Sequence, residues 1–329
     1  MISDWPQQRH FPYSSGRKLA ELKQAWDFSR QKILELSSRL DDTAMPPVVA
    51  CVAVSGSLAR MEAHPGSDVD LMIVIDDRTN DIVRAEADSV FATVWKMLDA
   101  VEESQPLKAP KPGGVFSQCV FWSTLIDPAV RGIVNEDVTS YGQRMQLLLD
   151  AQPIFRQERF GELQVDILHW YSEIRVQQLF QEAGPFHWLW QDVQRYWRSI
   201  RARACWLHSE EPAKSLEVNA KLRSSRLTLI AGFLSAIEAA QRGCATLAMD
   251  DTVRKLCHSL RRTPLERISN ALTIDDARGL LQAYQSVWKF VSKITPKDVA
   301  VPAQVLDALA EIRRLTAQIV GDEAHEWLL

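Results

Sequence analysis

Apolar positions along the chain follow two regimes, one with helical spacing and one with short extended runs. Between residues 18 and 40, Leu19, Leu22, Trp26, Ile33, Leu34, Leu36 and Leu40 form a helical stripe, which Asp41-Asp-Thr-Ala-Met-Pro-Pro ends. Two apolar runs follow, 48–54 and 68–75, short enough for strands and separated by a polar connection. Val83, Ala87, Val90, Val94, Leu98 and Val101 then predict a helix over 82–101 with one face suited to covering a sheet. A Pro/Gly/Lys loop at 106–114 leads to a third strand candidate at 115–126. Beyond Asp137 the pattern predicts helices only, at 139–150, 160–182, 187–207 and 216–240, with shorter ones at 251–261, 275–293 and 303–319. The fold class is therefore α+β, with a lead-in at 1–44, a sheet-containing core at 45–137 and an all-helical bundle at 138–329.

Composition narrows this picture only a little. A chain of 329 residues exceeds one ordinary compact domain, and 46% hydrophobic with 24% charged residues is usual for a globular protein. The net charge of −4 gives no global attraction to nucleic acid, so any basic surface is local. Cys51, Cys119, Cys205, Cys244 and Cys257 are scattered and odd in number, which fits a reducing compartment better than a disulfide framework or zinc site. The first residues show neither a basic n-region nor an apolar h-region, and no apolar run is long enough to span a bilayer; a cytoplasmic location is expected.

The chemistry concentrates in Val52-Ala-Val-Ser-Gly-Ser-Leu-Ala-Arg-Met-Glu-Ala-His-Pro-Gly-Ser-Asp-Val-Asp-Leu-Met-Ile-Val-Ile75. If Asp68-x-Asp70 opens a strand, its two carboxylates share a face about 6.5–7 Å apart, with Val69, Leu71 and Ile73 turned to a core. Paired carboxylates call for a cation, and an oxygen-only donor set suits Mg²⁺ or Mn²⁺. Gly56 permits a tight turn and close approach to a ligand, and Ser57 with neighbouring N–H groups can hold phosphate oxygens. Arg60 is placed to meet a phosphate oxygen or to pair with an acid; Ser67 reads as a turn serine; Glu62 and His64 receive no role. There is no Walker-type loop, no Gly-x-Ser-x-Gly, no dinucleotide Gly-x-Gly-x-x-Gly and no His-x-x-x-His, so hydrolase and redox readings lack support.

Gly56-Ser57, ten residues, then Asp68-x-Asp70 and Leu-Met-Ile-Val resembles the signature of the DNA polymerase β-like nucleotidyltransferase superfamily. The resemblance is firm over about residues 48–76, loose to about 150, and closest in layout to the protein uridylyltransferase-like branch, without that branch's sensory domains. It implies a small mixed-sheet core, Asp68 and Asp70 as catalytic metal ligands for Mg²⁺ or Mn²⁺, and Gly56 and Ser57 as a phosphate cradle. The implied reaction moves a nucleoside monophosphate from a nucleoside triphosphate to a hydroxyl of a protein, an RNA or a small molecule, releasing pyrophosphate. Two metal ions about 3.5–4 Å apart serve such in-line displacements.

Two segments bear on that expectation. The superfamily normally supplies a third carboxylate from a later strand, yet 115–126 contains no acid, which leaves Asp127, Glu136 and Asp137, the last also a plain helix N-cap. Between residues 195 and 226 there are eight Lys/Arg and three Glu, with Trp188, Trp190, Tyr196, Trp197 and Trp206 on or beside the same helix. This is either a basic wall for phosphates or RNA or a solvated face over a Trp core. Within it, Lys221 with Ser224 or Ser225 resembles the Lys and Ser that helical domains of the superfamily bring to the triphosphate. Two alternatives to a protein- or metabolite-modifying transferase follow: a nucleotide-binding regulator without transfer, from the missing acid, and an RNA-modifying toxin or second-messenger synthase, from the basic helix.

Overall fold

A computed structural model describes residues 5–13, 16–40, 42–78, 84–99, 110, 112–131, 136–172, 186–206, 212–242, 249–295, 300–320 and 322–328. The ends of the helix expected at 82–101, most of the 106–114 loop, 173–182 of the helix expected at 160–182, and Cys244 lie outside the described residues. The chain forms two compact units, one of residues 1–10 and 27–178, the other of 11–26 and 179–329.

The first unit is built on a mixed four-stranded sheet of order β3-β2-β1-β4. Its strands are β1 (Val49–Ser55), β2 (Asp70–Ile75), β3 (Val120–Phe121) and β4 (Gln152–Phe155). β1 runs antiparallel to β2 and β4, while β2 and β3 are parallel. Every residue of β1 and the last five of β2 are buried, because both strands are interior. Their continuous apolar runs, rather than an alternating pattern, reflect that double-sided burial. Around the sheet lie the part of α1 (Ala20–Ser38) from Asp27 on, the short α2 (Gly56–Ala59), α3 (Arg84–Asp99), α4 (Trp122–Leu125), α5 (Val138–Leu149) and α6 (Gln157–Tyr171). α6 packs on β1 and β4, and α3 on β2.

Three features depart from the sequence pattern. β4 is a strand where only helices were expected, so the unit holding the sheet runs to Gln178 rather than ending at 137. Pro153 disguises it: at the sheet edge the missing N–H costs no ladder bond, and Gln7 Nε2 covers the edge by donating to Pro153 O at 3.0 Å. The third strand is two residues long instead of twelve, because Asp77 accepts bonds from the Ser123 N–H (2.9 Å) and hydroxyl and turns the chain into α4. β2 starts at Asp70, so Asp68 precedes the strand as an exposed loop residue.

The second unit is helical: α7 (His187–Trp206), α8 (Pro212–Lys221), α9 (Leu227–Gln241), α10 (Met249–Leu260), α11 (Pro264–Ala271), α12 (Ile274–Val291), α13 (Ala303–Ala317) and α14 (Asp322–Leu328). The helix expected at 216–240 is α8 and α9 joined by a π-helical turn, Leu222–Arg226. α11, unforeseen because it has only eight residues, is fixed by a Thr263/Glu266 capping box and by Pro264 in its first turn. The buried α9 is this unit's centre, packed against α10 and α11. No helix among the described residues is long and apolar enough to cross a membrane.

Close helix packing and thiol burial give two tests. A Cβ on Gly232 would sit 2.7 Å from the Pro264 carbonyl oxygen, whereas one on Gly279 would meet nothing nearer than 3.6 Å. Gly232→Ala should cost about 1–3 kcal/mol in urea unfolding, and Gly279→Ala should be neutral or stabilising by up to about 1 kcal/mol. Burial pushes the Cys51 and Cys257 thiols up to about 12, and Cys119 is buried with its thiol donating to Ala87 O at 3.3 Å. Alkylation at pH 8 with peptide mapping should mark the exposed Cys205 and spare these three until the protein is denatured.

Candidate functional site

The site forms where β1 ends and β2 begins. Ser55, the last residue of β1, pairs in register with Asp70, the first of β2. The chain then turns at Gly56, whose φ of +71° lies in the left-handed region that L side chains rarely adopt. The Asp70 carboxylate covers this turn so closely that a Cβ on Gly56 would lie 2.5 Å from Asp70 Oδ2. Glycine is thus required twice, by its torsion and by the carboxylate above it. The turn closes through Arg60 N–H to Gly56 O (3.0 Å), Met61 N–H to Leu58 O (3.1 Å) and Glu62 N–H to Ser57 O (2.8 Å). Met61 also has positive φ, +62°. Ser57 stays partly exposed beside this turn.

The connection back to β2 is a compact turn. Ser67 N–H donates to His64 O (2.8 Å), His64 N–H to Ser67 Oγ (3.0 Å) and Gly66 N–H to His64 Nδ1 (3.1 Å). Ser67 is therefore the turn serine its position suggested. Asp68 is exposed in the loop before β2, and Asp70, the first residue of β2, is half-buried. Among the described residues no three His, Cys, Asp or Glu side chains converge as a metal cage. Two hard-oxygen donors fit Mg²⁺ or Mn²⁺, ions that retain waters and take remaining ligands from phosphates.

Arg60 takes the second of its two expected roles, pairing with acids, in a buried setting rather than at the surface. Its side chain is 5% exposed, with Nε on Glu62 Oε2 (3.1 Å) and Nη1 on Asp150 Oδ2 (2.5 Å). A guanidinium so buried and so paired is part of the scaffold beneath the turn rather than an arm reaching for phosphate. Asp150 and Glu62 were missed because nothing local marks them; one follows a helix and the other looked like a solvated loop acid. The remaining hint, an acid directly after the buried run Leu147–Leu149, is too common to read.

The candidates for a third carboxylate are engaged elsewhere. Asp127 Oδ1 accepts from Ala129 N–H (2.8 Å), and Asp137 caps α5 by accepting from Ser140 N–H (2.8 Å) and hydroxyl (2.9 Å). Glu136 pairs with the fully buried Arg144, which also contacts Tyr171 Oη at 3.1 Å. Burial opposes the charge on Arg144, but Tyr171 and Glu136 outweigh it and hold its pKa above the usual guanidinium value. β3 adds nothing beside Asp70, since it pairs with Val74 and Ile75 at the opposite end of β2. That opposite end is a closed ionic cluster: Arg78 binds Asp76 (2.9 Å) and Asp166 (3.1 Å) and stacks 3.9 Å over Trp122. The Arg78 hydrogen bonds hold the Asp76 carboxyl below its ordinary range against its partial burial.

Lys221 and the basic segment belong to the second unit. Lys221 Nζ lies 2.5 Å from Glu217 Oε1, and Ser224 and Ser225 hydroxyls bond back to Ala220 O (2.7 Å) and Lys221 O (3.4 Å) across the π-helical turn. Burial raises the Glu217 pKa, but bonds from Lys221 and Lys214 prevail and keep it low. On α7 the aromatic residues divide: Trp197 is core, Trp190 packs edge-on against Trp327 at 5.1 Å, and Trp206 is 87% exposed. Arg195, Arg198 and Arg203 are exposed, and Arg201 donates to Trp327 O at 3.3 Å.

Comparison with known families bears on the segment that carries the turn. Residues 14–104 match the family described as "Putative nucleotidyltransferase DUF294". That match, over less than a third of the chain, supports a nucleotidyltransferase assignment for the segment. The nucleotidyltransferase match includes Gly56, Ser57, Asp68 and Asp70 and stops before α5 and β4. No curated protein and no solved structure was found to match the chain.

The overlap of Gly56 with Asp70 can be measured. Gly113 has nearly the same φ, +72°, but open space around a Cβ. Gly113→Ala should lose only the left-handed penalty of about 1–2 kcal/mol. Gly56→Ala should lose more in the same urea titration, the difference reporting the Asp70 contact.

Proposed function

We propose that the chain transfers a nucleoside monophosphate from a nucleoside triphosphate to a hydroxyl acceptor, with pyrophosphate leaving. The observation that carries this reading is the close superposition of the Asp70 carboxylate on the positive-φ Gly56 turn, within a segment matched by a nucleotidyltransferase family. The missing Cβ makes room for the Asp70 carboxylate against the turn, and partly exposed Ser57 offers a hydroxyl to a phosphate oxygen beside it. Asp68 and Asp70 are the residues to hold Mg²⁺ or Mn²⁺, which when bound supplies positive charge for the triphosphate. The chain's own contribution is then positioning: the turn orients the phosphates and the two carboxylates fix where the counter-charge sits.

A second reading, nucleotide binding without transfer, has its own observation. Among the described residues no third carboxylate joins Asp68 and Asp70, because Asp127, Glu136 and Asp137 cap helices or pair with arginine. Without an acid to take the acceptor's proton, transfer relies on an acceptor that deprotonates readily or brings its own base.

One assay separates the two readings. Purified protein is incubated with each α-labelled nucleoside triphosphate, Mg²⁺ or Mn²⁺, and cell protein or RNA as acceptor. The transferase reading expects label in a new covalent product, reduced about 10²–10³-fold in Asp70→Asn. Saturable nucleotide binding with no labelled product or pyrophosphate would instead establish the binding protein.

A further inference from the structure

We propose that Asp150 is a positioning residue for the nucleotide-binding turn, a carboxylate that grips both ends of the turn from below. The inference rests on the functional reading above and adds a residue outside the matched family segment, which ends at 104. Asp150 Oδ1 accepts from the hydroxyl of Ser55, directly before Gly56, at 2.8 Å. Its Oδ2 accepts from Nη1 of Arg60, directly after α2, at 2.5 Å. Both oxygens of one carboxylate are thus spent on the two residues that bracket Gly56–Ala59.

Neighbours from the same α5–β4 junction reinforce the grip. Ser55 Oγ also lies 2.7 Å from Gln146 Oε1, its single proton shared between two acceptors. Gln152 Nε2 donates to Ala59 O inside the turn. Glu62, beyond the turn, holds the other face of the Arg60 guanidinium at 3.1 Å. Residues 146–152 therefore fasten the turn at its start, its interior and its end.

Geometry excludes a direct catalytic role for Asp150. Its side chain is 0% exposed and its partners are a serine and an arginine, so it touches neither metal nor substrate. Energetics point the same way. A buried ion pair is weak evidence for stability, since matched apolar side chains do as well, but it imposes one geometry on the groups it joins. The geometry imposed here is that of the Ser55–Arg60 backbone, on which the close fit of Gly56 beneath Asp70 depends. Ser55 is also the β-ladder partner of Asp70, so fixing Ser55 fixes the distance from turn to carboxylate.

The test uses the full chain and two variants. Asp150→Asn presents an amide N–H to Arg60 and is expected to lower stability; Ser55→Ala keeps the Asp150–Arg60 pair and removes only the upstream tether. Hydrogen exchange by mass spectrometry is read on residues 56–62, and nucleoside triphosphate affinity and label transfer are measured beside it. In Ser55→Ala, exchange over 56–62 should rise about tenfold while β1 and β2 stay protected. KM for the triphosphate should rise about tenfold with a smaller change in kcat, and Mn²⁺ binding without nucleotide should hold within twofold. Ser55→Thr, which keeps the hydroxyl, should restore both exchange and KM. Unchanged exchange over 56–62 in both variants would overturn the positioning role whatever the activity. Faster exchange with unchanged KM would show a structural tie only and equally overturn it. Wild-type protein that takes no nucleotide would sink the functional reading, while the exchange data would still decide whether Asp150 holds the turn.

Discussion

A turn with no room for a side chain, pressed under a carboxylate, is the constraint on which the site depends. Gly56 must hold a φ of +71° with Asp70 Oδ2 only 2.5 Å from where its Cβ would be. Neither condition is met by the turn alone, since glycine is the residue with the most backbone freedom to lose. The sheet supplies half of the restraint. β1 is interior and buried throughout, and its register sets Ser55 opposite Asp70. A slip of one residue would exchange every β1 side chain between its two buried faces, spoiling the packing on both, and carry Gly56 away from Asp70. The buried β1–β2 pair therefore fixes distance along the strand, and the side-chain ties below the turn fix its shape.

Those ties place charge where a globular core normally has none. Arg60, Glu62 and Asp150 are all buried, two acids against one base. Each guanidinium bond satisfies part of the desolvation cost, and Ser55 satisfies a further carboxylate oxygen. Removing one partner takes a bond from a charge that stays buried, which costs more than the pair's net contribution. A second buried arginine, Arg144, follows the same logic with Glu136, Tyr171 and the Leu125 carbonyl. It anchors α5, the helix whose C-terminal end presents Gln146 and Asp150 to the turn. The two networks thus lie in series along one helix: Arg144 fixes α5, and α5 delivers the acid that fixes the turn.

Much of this was legible in the sequence where the signal was local. The strand–turn–strand from 49 to 75, the helix over 84–99 and most helices of the second unit, though not α11 or α14, follow from periodicity, and the glycine turn at Gly56 from composition. The missed features are non-local. β4 is four residues with a proline, and nothing in it signals that an edge position beside β1 awaits it. Asp77 converts the expected long third strand into α4 through Ser123, 46 positions away. For Arg60 the sequence left phosphate contact and acid pairing both open; which acids it meets was invisible, one of them 90 residues along.

The same reasoning bears on where the functional unit ends. The family match stops at residue 104, yet the sheet is incomplete without β4, and the turn lacks its upstream and downstream ties without residues 146–152. Chain separation is no measure of functional separation when a single carboxylate joins both sides. A fragment confined to the matched residues would keep the glycine and both aspartates but lose the restraint that makes their arrangement definite. It would also expose the apolar edge of β1 that β4 covers, a surface open to pairing with another chain. Sheet, turn and grip all lie within the first compact unit, residues 1–10 and 27–178.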